Sequence, residues 1–457
     1  MARHHQPPAE PRRLAWRVLC AVEDGAFADA TLGATLSGAH LEPRDRGLAT
    51  QLVYGTLAWQ GLLDHVLTRL GRPPRRLDAA VRVLLRLALF QLIKLDRVPE
   101  FAAVDTAVEL AKTVNGGAPA GLVNALLRRF LREGRALGLP PEEPRAAHLA
   151  LASSHPRWLV DQWLSELGEP EAAALLAADN QAAPTTLRVL TPRVSRETLI
   201  AALADVQVAA RPTAYAADGV VLEAAVDPTT LPGFREGWFT VQGEASQLVA
   251  ALLGVGAGGR VLDLCAAPGG KALAAAAAVG AQGMVLALDP YRGGLQRLRA
   301  EAARLGVRVA RVCADGTALP LSPSARFDAV LVDAPCSGLG TLRQHPEIRW
   351  RRTAADVVAL ATLQGALLAA AAPHVRPGGA LVYATCTISR RENDDVVAGF
   401  LSTHDEFRRA DPRPLLPAAA AELVDGDVLR TFPHRHGLDG FYAVRLERAP
   451  HRAAFPV

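Results

Sequence analysis

Two single cysteines follow predicted strands in the second half of the chain. The segment FDAVLVDAPCSG ends its strand at Asp333 and carries Cys336, and the segment GALVYATCTIS carries Cys386 at the end of the next strand. Because the carboxyl ends of parallel strands share one edge of a sheet, both thiols are expected beside one crevice. An isolated cysteine is usually a small buried side chain. The presence of Asp333 and Lys271 beside the same crevice favours a functional role for Cys336 and Cys386.

The other cysteines carry less information. All 5 cysteines occur singly, without the paired cysteines or the histidine spacing of a metal site. This pattern predicts free thiols in a reducing cytoplasm and no bound metal. Cys20, Cys265 and Cys313 are expected to be buried apolar side chains, although Cys265 lies in a turn whose backbone is placed to contact a ligand.

A glycine-containing turn joins a hydrophobic strand to a helix in VLDLCAAPGGKA, residues 261–272. Glycines let the backbone approach a ligand at a helix N-terminus. The second strand ends at Asp289, about twenty residues later, where an acidic residue typically binds a ribose. The third strand leads to Asp315, which is expected at the adenine end of the same ligand. Helix capping is the alternative role of these aspartates, but their order after the turn favours a cofactor site.

The same turn excludes a P-loop, because Lys271 is followed by Ala272 and not by a metal-binding hydroxyl. The predicted cofactor contacts are Cys265, Ala266, Ala267, Pro268, Gly269, Gly270, Lys271, Asp289, Asp315 and Asp333.

Three patterns of hydrophobic residues divide the chain. From Arg12 to about Arg135 apolar residues recur every three or four positions, which predicts an all-helical domain. Short strand-like segments around one helix then predict a small α+β domain. From Ser246 strands alternate with helices, which predicts a Rossmann-like α/β domain with a parallel sheet covered on both faces. The predicted boundaries are a disordered tail at 1–11, the helical domain at 12–136, a proline-rich linker at Leu137–Pro144, the α+β domain at 150–240 and the α/β domain at 241–450.

The positive charge is unevenly distributed. The formal net charge of the 457 residues is +4, yet residues 1–150 alone hold 20 basic and 15 acidic side chains. Within them, Arg69–Arg97 holds eight basic and two acidic residues. A solvated helix surface is the usual meaning of such a run. No secretory signal or membrane span is expected, since the longest apolar stretch, Ala272 to Leu288, is too short.

Several segments together resemble one enzyme family. VLDLCAAPGGK, DAPCSGLG with HPEIRW, and YATCT with EN resemble, in this order, the cytosine-C5 RNA methyltransferases of the RsmB/Sun type. AWRVLCAVEDGAFAD and LVNALLRRFL resemble the antitermination factor NusB, which indicates the branch that modifies 16S ribosomal RNA. A NusB-like domain also implies that the basic run Arg69–Arg97 faces RNA. The resemblance covers nearly the whole chain and departs from the family at Ala272 and Thr387, where Thr and Ser are common. It implies S-adenosyl-L-methionine as cofactor.

The implied chemistry explains the need for two thiols. C5 of cytosine is a weak nucleophile, so a thiolate first adds to C6, and an acid near N3 stabilises the charge on the ring. Asp333 suits that role, with Lys271 as electrostatic support. Spacing alone leaves the nucleophile open, and a Pro-Cys dipeptide attacks in the DNA cytosine-C5 enzymes, which favours Cys336. The RNA family implies Cys386 as nucleophile and Cys336 as the thiol that assists product release.

The substrate base must leave its stack to reach such a pocket. The residues expected to hold it follow the DAPCSG segment and are Arg343, His345, Arg349, Trp350, Arg351 and Arg352, with a solvated loop as the alternative. The expected partner is small-subunit ribosomal RNA before full assembly, bound by a cytoplasmic monomer without membrane contact. Alternatives are methylation of another RNA, such as transfer RNA, and a non-catalytic RNA-binding assembly factor.

Overall fold

The computed structural model of the chain describes residues 10–134, 143–224 and 226–450. It forms two compact units. The N-terminal unit comprises Met1–Gln181 and Leu342–Arg351, and the C-terminal unit comprises Ala182–Thr341 and Arg352–Val457. Most of the expected tail and linker lies outside the described residues. The last two residues of that tail, Glu10 and Pro11, begin the first helix.

The N-terminal unit consists of packed helices, as the sequence predicts for residues up to about 136, and it also includes helices between 145 and 178 that the α+β domain was expected to contain in part. Along the chain these are α1 (Glu10–Glu23), α2 (Ala28–Ser37), α3 (Pro43–Ala58), α4 (Gln60–Arg69), α5 (Ala79–Lys94), α6 (Glu100–Ala111), α7 (Ala120–Glu133), α8 (Arg145–Ala152), α9 (Arg157–Leu167) and α10 (Glu169–Ala178). The Asp78 carboxylate caps α5 by accepting from the N–H groups of Ala80 at 2.9 Å and Val81 at 3.4 Å. Every residue of α5 from Val83 to Gln91 is buried, so α5 is the central helix.

The basic run Arg69–Arg97 is only partly available to a partner. Arg86 is 6% exposed and donates to Asp64 at 2.7 Å and to Glu23 at 3.0 Å. Arg82 also pairs with Glu23, and Lys94 lies 3.2 Å from the centre of the Trp59 ring. These three cations therefore hold helices together, which corrects the expectation for the run as a whole. Its exposed members are Arg69, Arg72, Arg75, Arg76 and Arg97.

The C-terminal unit begins with a small antiparallel sheet, which confirms the predicted α+β domain. Its elements are β1 (Thr185–Val189), α11 (Arg196–Asp205), β2 (Ala210–Pro212), β3 (Gly219–Leu222) and β4 (Phe239–Val241). The strands pair in the order β2-β3-β1-β4. Leu187, Val220 and Phe239 are fully buried in its core, because alternate residues of a strand face the same side.

A second, larger sheet follows, with helices between its strands. Its strands are β5 (Arg260–Asp263), β6 (Met284–Asp289), β7 (Ala310–Cys313), β8 (Phe327–Asp333), β9 (Val375–Thr385), β10 (Phe407–Ala410), β11 (Val424–Asp425), β12 (Val428–Arg430) and β13 (Tyr442–Arg448). The helices are α12 (Glu244–Ala251), α13 (Gly270–Val279), α14 (Arg292–Leu305), α15 (Ile348–Arg351), α16 (Ala354–Ala371), α17 (Asp394–Leu401) and α18 (Pro433–His436), of which α15 belongs to the N-terminal unit.

The large sheet is mixed rather than wholly parallel. Strands β5 to β9 pair in parallel, as predicted, in the order β7-β6-β5-β8-β9. Strand β13 then pairs antiparallel with β9, with β12 and with β10. The expectation of an entirely parallel sheet is therefore wrong for the last four strands. Short connections such as the one between β11 and β12 permit only antiparallel pairing, because a parallel crossover needs a dozen or more residues.

Helix α16 follows the predicted alternation of strands and helices, and it contains the apolar segment that the expectation about membrane spans should have named. The segment Ala354–His374, and not Ala272 to Leu288, is the one among the described residues that is long and apolar enough to cross a membrane, with a mean hydropathy of 1.7. In its middle, Gln364 is fully buried and donates to the carbonyl of Pro335 at 3.0 Å. This buried polar contact is typical of a helix that covers a sheet.

Candidate active site

The site lies where the strand order of the large sheet reverses. Strands β5, β6 and β7 progress in one direction from this point and β8 and β9 in the other. Open α/β sheets bind ligands outside the carboxyl ends of the strands at such a point. The register places Asp263 beside Leu331, and Asp333 beside Ala384. The ends of β5, β8 and β9 therefore meet at one edge.

The predicted cofactor turn adopts a conformation that requires glycine. Gly269 precedes α13 with a φ of 120°, and a Cβ there would lie 2.4 Å from a side-chain carbon of Leu298. The Asp289 carboxylate connects this turn to the end of β6, because it accepts from the N–H groups of Ala267 at 3.0 Å and Tyr291 at 2.8 Å. Gly269 and Asp289 thus shape one backbone cradle at the start of α13.

Asp289 and Asp315 both form local hydrogen bonds of the capping type, which was the alternative to a cofactor role. Asp289 accepts from Tyr291, the residue that precedes α14, and Asp315 accepts through Oδ1 from the N–H and the hydroxyl of Thr317, each at 2.8 Å. A carboxylate offers about four acceptor sites. Both groups therefore retain acceptor capacity at the carboxyl ends of β6 and β7.

A buried ion pair links the cofactor turn to β8. Lys271, which is 8% exposed, donates from Nζ to Oδ2 of Asp333 at 2.6 Å. The same ammonium lies 5.3 Å from the centre of the Phe441 ring. The ammonium is thus held over an aromatic face, and the geometry brings together the two charged residues that the sequence selected.

Asp263 is the third charged group in this cluster. Burial, and then repulsion by Asp333, raise the pKa of its carboxyl group to about 8. Its Oδ1 atom is buried and has no hydrogen-bond partner among the described residues. A buried acceptor without a donor is a feature that a ligand in the adjoining crevice would satisfy.

The two selected cysteines lie in contact. Sγ of Cys336 is 3.3 Å from Sγ of Cys386, and both side chains are half-buried. The hydrogen bond with Cys386, together with burial, raises the pKa of the Cys336 thiol well above its usual range. Cys336 therefore retains its proton at neutral pH. The pair thus consists of a protonated Cys336 sulfur in hydrogen-bonding contact with the Cys386 sulfur.

Glu392 joins the two cysteine-bearing loops and was noted in the sequence only as part of a motif. The side chain is 0% exposed, and it accepts from the Ser337 N–H at 2.7 Å and from the Ser337 hydroxyl at 2.5 Å. It also accepts from Gln364 at 3.1 Å and from the Thr387 hydroxyl at 3.4 Å. One buried carboxylate thus holds the residue after Cys336 and the residue after Cys386.

Asn393 and Gly340 complete this arrangement. Asn393 accepts from the Thr385 hydroxyl at 2.6 Å and donates to the Thr387 carbonyl at 2.9 Å. The N–H of Gly340 donates to the Cys386 carbonyl at 3.0 Å, and a Cβ on Gly340 would lie 1.9 Å from the carbonyl oxygen of Gly440. The sequence signal for these residues was the polar EN pair that follows YATCT, together with the second glycine of DAPCSGLG.

The basic segment after the DAPCSG motif serves a different purpose from the one expected. Arg349 is 0% exposed and donates to Oδ1 of Asn180 at 2.8 Å and to the Asp179 carbonyl at 3.1 Å. Trp350 donates to the Leu57 carbonyl at 3.0 Å, and Arg351 donates to backbone carbonyls of the N-terminal unit. The expectation that Arg349 holds a nucleotide is therefore wrong, because its guanidinium is enclosed in the N-terminal unit, whereas for the partly exposed Trp350 and Arg351 it stays a prediction.

The other members of that segment remain predictions. Arg352 donates from Nε to the Ser337 carbonyl at 3.3 Å, one residue from Cys336. Arg343 and His345 are only partly exposed.

The three remaining cysteines differ in environment. Cys20 and Cys265 are half-buried and pack against hydrophobic cores, and burial raises the pKa of the Cys20 thiol to about 11 and raises that of Cys265 further. Cys313 is exposed at the end of β7, so the expectation that it is buried is wrong. Within the described residues no group of three or more His, Cys, Asp or Glu side chains is placed to bind a metal ion.

Three family models match successive parts of the chain. The model of the NusB family matches residues 9–132, a model described as an RsmF/B-like ferredoxin-like domain matches residues 155–229, and a model described as 16S rRNA methyltransferase RsmB/F matches residues 250–447.

Individual proteins match over nearly the whole chain. The probable ribosomal RNA small subunit methyltransferase B of Synechocystis is 35% identical over 444 residues, which cover 96% of this chain and 99% of that protein. The ribosomal RNA small subunit methyltransferase B of Pseudomonas putida is 38% identical and covers 95% of this chain and 98% of its own. A crystal structure titled PH0851 superposes with a TM-score of 0.85 at 25% identity, covering 97% of this chain and 99% of that one.

Proposed function

The chain belongs to the RsmB/F family of 16S rRNA methyltransferases, and we propose that it methylates C5 of a cytosine in small-subunit ribosomal RNA through a covalent bond from Cys386 to C6 of the base. As a member of this family it uses S-adenosyl-L-methionine. The observation that carries the proposal is the contact of two half-buried thiols, 3.3 Å apart, on strand-end loops beside the ion pair of Lys271 and Asp333.

The residues at the strand ends fit this cofactor. Gly269 gives the backbone a close approach, and Asp289 and Asp315 offer acceptors for the ribose hydroxyls and the adenine end. The unpartnered Oδ1 of Asp263 adds a buried polar atom, and the Asp289 and Asp333 side chains suit a cationic ligand. When bound, S-adenosyl-L-methionine supplies the electrophilic methyl group that C5 takes up. The proposed contacts are Cys265, Ala266, Ala267, Pro268, Gly269, Gly270, Lys271, Asp289, Asp315 and Asp333.

Cys386 is the proposed nucleophile. Its thiolate donates an electron pair to C6, the C5–C6 double bond opens, and the electrons become available at C5. Lys271 donates to Oδ2 of Asp333 at 2.6 Å, which leaves Oδ1 of Asp333 to hold the proton that N3 gains as C6 is attacked, so that negative charge does not build up on the ring. After methyl transfer N3 returns this proton to Asp333, and the C5 proton passes to the Cys336 sulfur as that thiol gives its own proton to the departing Cys386 sulfur. The electron pair of the broken C5–H bond re-forms the C5–C6 double bond, and the bond from C6 to Cys386 breaks.

Cys336 is the proposed helper in that last step. Its raised pKa keeps a proton on its sulfur at neutral pH, 3.3 Å from the sulfur that must depart. A nucleophile must be a thiolate, so a thiol with a raised pKa is suited to hold a proton rather than to attack C6. This direction supports the role that the family resemblance implies for Cys336.

The proposed setting is a cytoplasmic monomer that acts on ribosomal RNA before the small subunit is fully assembled. A target base in folded RNA must be extruded to reach the thiols, and full assembly would cover it with protein and RNA. The proposed domains are the helical domain at 12–136, the α+β domain at 150–240 and the catalytic domain at 241–450.

Cysteine variants test the chemistry. Cys386→Ala is expected to abolish both methylation and covalent RNA adducts, whereas Cys336→Ala is expected to accumulate adducts that denaturing gels detect. Cys20→Ala, which alters a thiol in the N-terminal unit, is the control and should behave as wild type. Exchange of the two phenotypes would contradict the assignment of the nucleophile. Bisulfite mapping of 16S and transfer RNA from a deletion strain identifies the substrate, and an unchanged 16S pattern would overturn the proposed function.

A further inference from the structure

A concentrated positive surface lies on the C-terminal unit, away from the thiols. Residues 292–311, which include α14 and the start of β7, hold six arginines and one acidic residue, Glu301. Only Arg304 is paired with that glutamate, and it also donates to the carbonyl of Phe239 at 2.8 Å. The five arginines of this stretch that are exposed are Arg292, Arg297, Arg299, Arg308 and Arg311. None of these five forms an ion pair among the described residues.

Three of these arginines surround one pocket. Arg299 on α14, and Arg308 and Arg311 beside and on β7, line a cavity of about 420 Å³. Its other lining residues are apolar or glycine, among them Met284 and Val309, and no acidic side chain lines it. Arg311 donates from Nη1 to the Val309 carbonyl at 2.7 Å, which anchors its guanidinium at the rim. We call this feature the arginine pocket.

The lining of the arginine pocket contains no carboxylate, whereas some other exposed arginines of this unit have acidic partners. Elsewhere in it, the exposed Arg211, Arg376 and Arg408 each lie within 4 Å of an acidic partner, at 3.7, 2.6 and 3.5 Å respectively. Three guanidinium groups without such partners repel each other, and a bound anion relieves that repulsion. Charged residues on an edge strand also discourage strand pairing. That role accounts for Arg308 and Arg311, but not for Arg299, which lies on a helix.

We propose that the arginine pocket binds a backbone phosphate group of the RNA substrate, an inference that rests on the proposed function. The guanidinium group forms paired hydrogen bonds with phosphate oxygens and stays charged at any physiological pH. The pocket lies on the edge strand β7 and the start of β6, and β7 is three strands away from β8, whose loop carries Cys336. Neighbouring strands are about 4.8 Å apart, so the phosphate belongs to a nucleotide well away from the target base. The contact positions the RNA and reads no sequence.

The test is a triple variant with a charge-matched control. Arg299→Gln, Arg308→Gln and Arg311→Gln are combined in one protein, and Arg211→Gln, Arg376→Gln and Arg408→Gln in the other. Loss of the proposed phosphate contact is expected to reduce the slope of log affinity against log salt by about 1. The KM for 16S RNA fragments should rise about tenfold at 0.1 M salt, with the kcat at saturating RNA and the affinity for S-adenosyl-L-methionine unchanged. The control should match wild type.

The outcomes separate this proposal from the proposed function. Equal salt slopes and equal KM values for wild type and both triple variants would overturn the arginine pocket while leaving the methyltransferase assignment intact. Unaltered RNA binding with loss of binding to polyglutamate would also overturn it, because the pocket would then serve an acidic protein segment. A reduced slope in a protein whose wild type methylates no 16S cytosine would support the RNA contact and contradict the proposed substrate.

Discussion

Each unit of the molecule contains a charged side chain that is 0% exposed and that joins several segments by hydrogen bonds. In the C-terminal unit Glu392 accepts from Ser337, Thr387 and Gln364, and in the N-terminal unit Arg349 donates to Asn180 and to backbone carbonyls. Both residues are 0% exposed, and both connect segments that are distant in the chain. The two clusters differ in what lies next to them.

The Glu392 cluster holds groups that solvent can reach, and the Arg349 cluster does not. The residues bonded to Glu392 directly follow Cys336 and Cys386, whose sulfurs are half-buried. The groups bonded to Arg349 are main-chain carbonyls, the Asn180 carboxamide and Nδ1 of His155, whose ring is buried. A buried charge by itself therefore does not identify a catalytic site. A buried charge that positions reactive and accessible groups does.

The largest effect is expected when the Arg349 cluster is broken. Arg349→Met removes the guanidinium group, so the Asp179 carbonyl and the Asn180 carboxamide lose their hydrogen-bond donor. This loss is expected to destabilise the N-terminal unit by about 3 kcal/mol. Hydrogen exchange of α8 to α10 measures the change. The control is Arg157→Met, which alters an exposed arginine paired with Asp161 and should change stability by less than about 1 kcal/mol. Equal losses of stability in both variants would mean that the Arg349 cluster stabilises the unit no more than an exposed ion pair does.

A smaller effect, and one on catalysis, is expected for Glu392. Glu392→Gln replaces one acceptor oxygen by a donor that faces Ser337, so the loops of both cysteines lose their common anchor. The kcat is expected to fall about 10- to 100-fold, or about 1.4 to 2.7 kcal/mol, with the KM for S-adenosyl-L-methionine little changed. Glu236→Gln, at an exposed glutamate of the same unit, is the control. A loss of thermal stability with unchanged kcat would make Glu392 purely structural, like Arg349.

The two units are expected to respond oppositely to pH. Asp263, with a pKa of about 8, retains in the folded state a proton that the unfolded chain releases near pH 4. The folded C-terminal unit therefore loses stability as pH rises from about 4 to 8, by up to about 1.4 kcal/mol per pH unit. Burial, and then Arg349, lower the pKa of His155 well below 6.5. The unfolded chain gains a proton there that the fold excludes, so the N-terminal unit loses stability as pH falls below about 6.5.

Unit-resolved hydrogen exchange between pH 5 and 8 measures both slopes. Asp263→Asn should flatten the slope of the C-terminal unit only, and His155→Gln that of the N-terminal unit only. The charged groups that face His155 are Arg349 and Asp179, whose Oδ2 lies 3.7 Å from its Nε2. Slopes of the same sign in both units, or slopes that the two variants leave unchanged, would contradict this assignment.

Regular patterns made much of the fold predictable. The recurrence of apolar residues specified the helical unit, and alternation of strands with helices specified β5 to β9. The strands β10 to β13 were missed, because segments such as VLR at residues 428–430 are too short to show a period. Among the site residues, Lys271, Asp333, Cys336 and Cys386 were selected because their positions at strand ends follow from the same periodicity.

Charge, in contrast, was a poor guide to function. Two arginine-rich stretches, residues 69–97 and 292–311, have similar compositions, and only the first was predicted to face RNA. The structure ties Arg82 and Arg86 of the first to acidic partners, and leaves Arg299, Arg308 and Arg311 of the second around one pocket. Whether a cation is neutralised depends on neighbours far away in sequence, and a local pattern does not contain them.

The sequence by itself determined which residues lie at or just after the carboxyl ends of successive strands, among them Asp263, Asp289, Asp333, Cys336 and Cys386. These residues meet at one edge of the sheet, because parallel strands necessarily align their carboxyl ends. Only the tertiary structure decided that the two sulfurs touch, that Glu392 holds both loops, and that Arg349 is buried in the N-terminal unit. Periodicity specifies which face and which end of an element a residue occupies. Contact distances and burial depend on how several elements pack together, which no local pattern encodes.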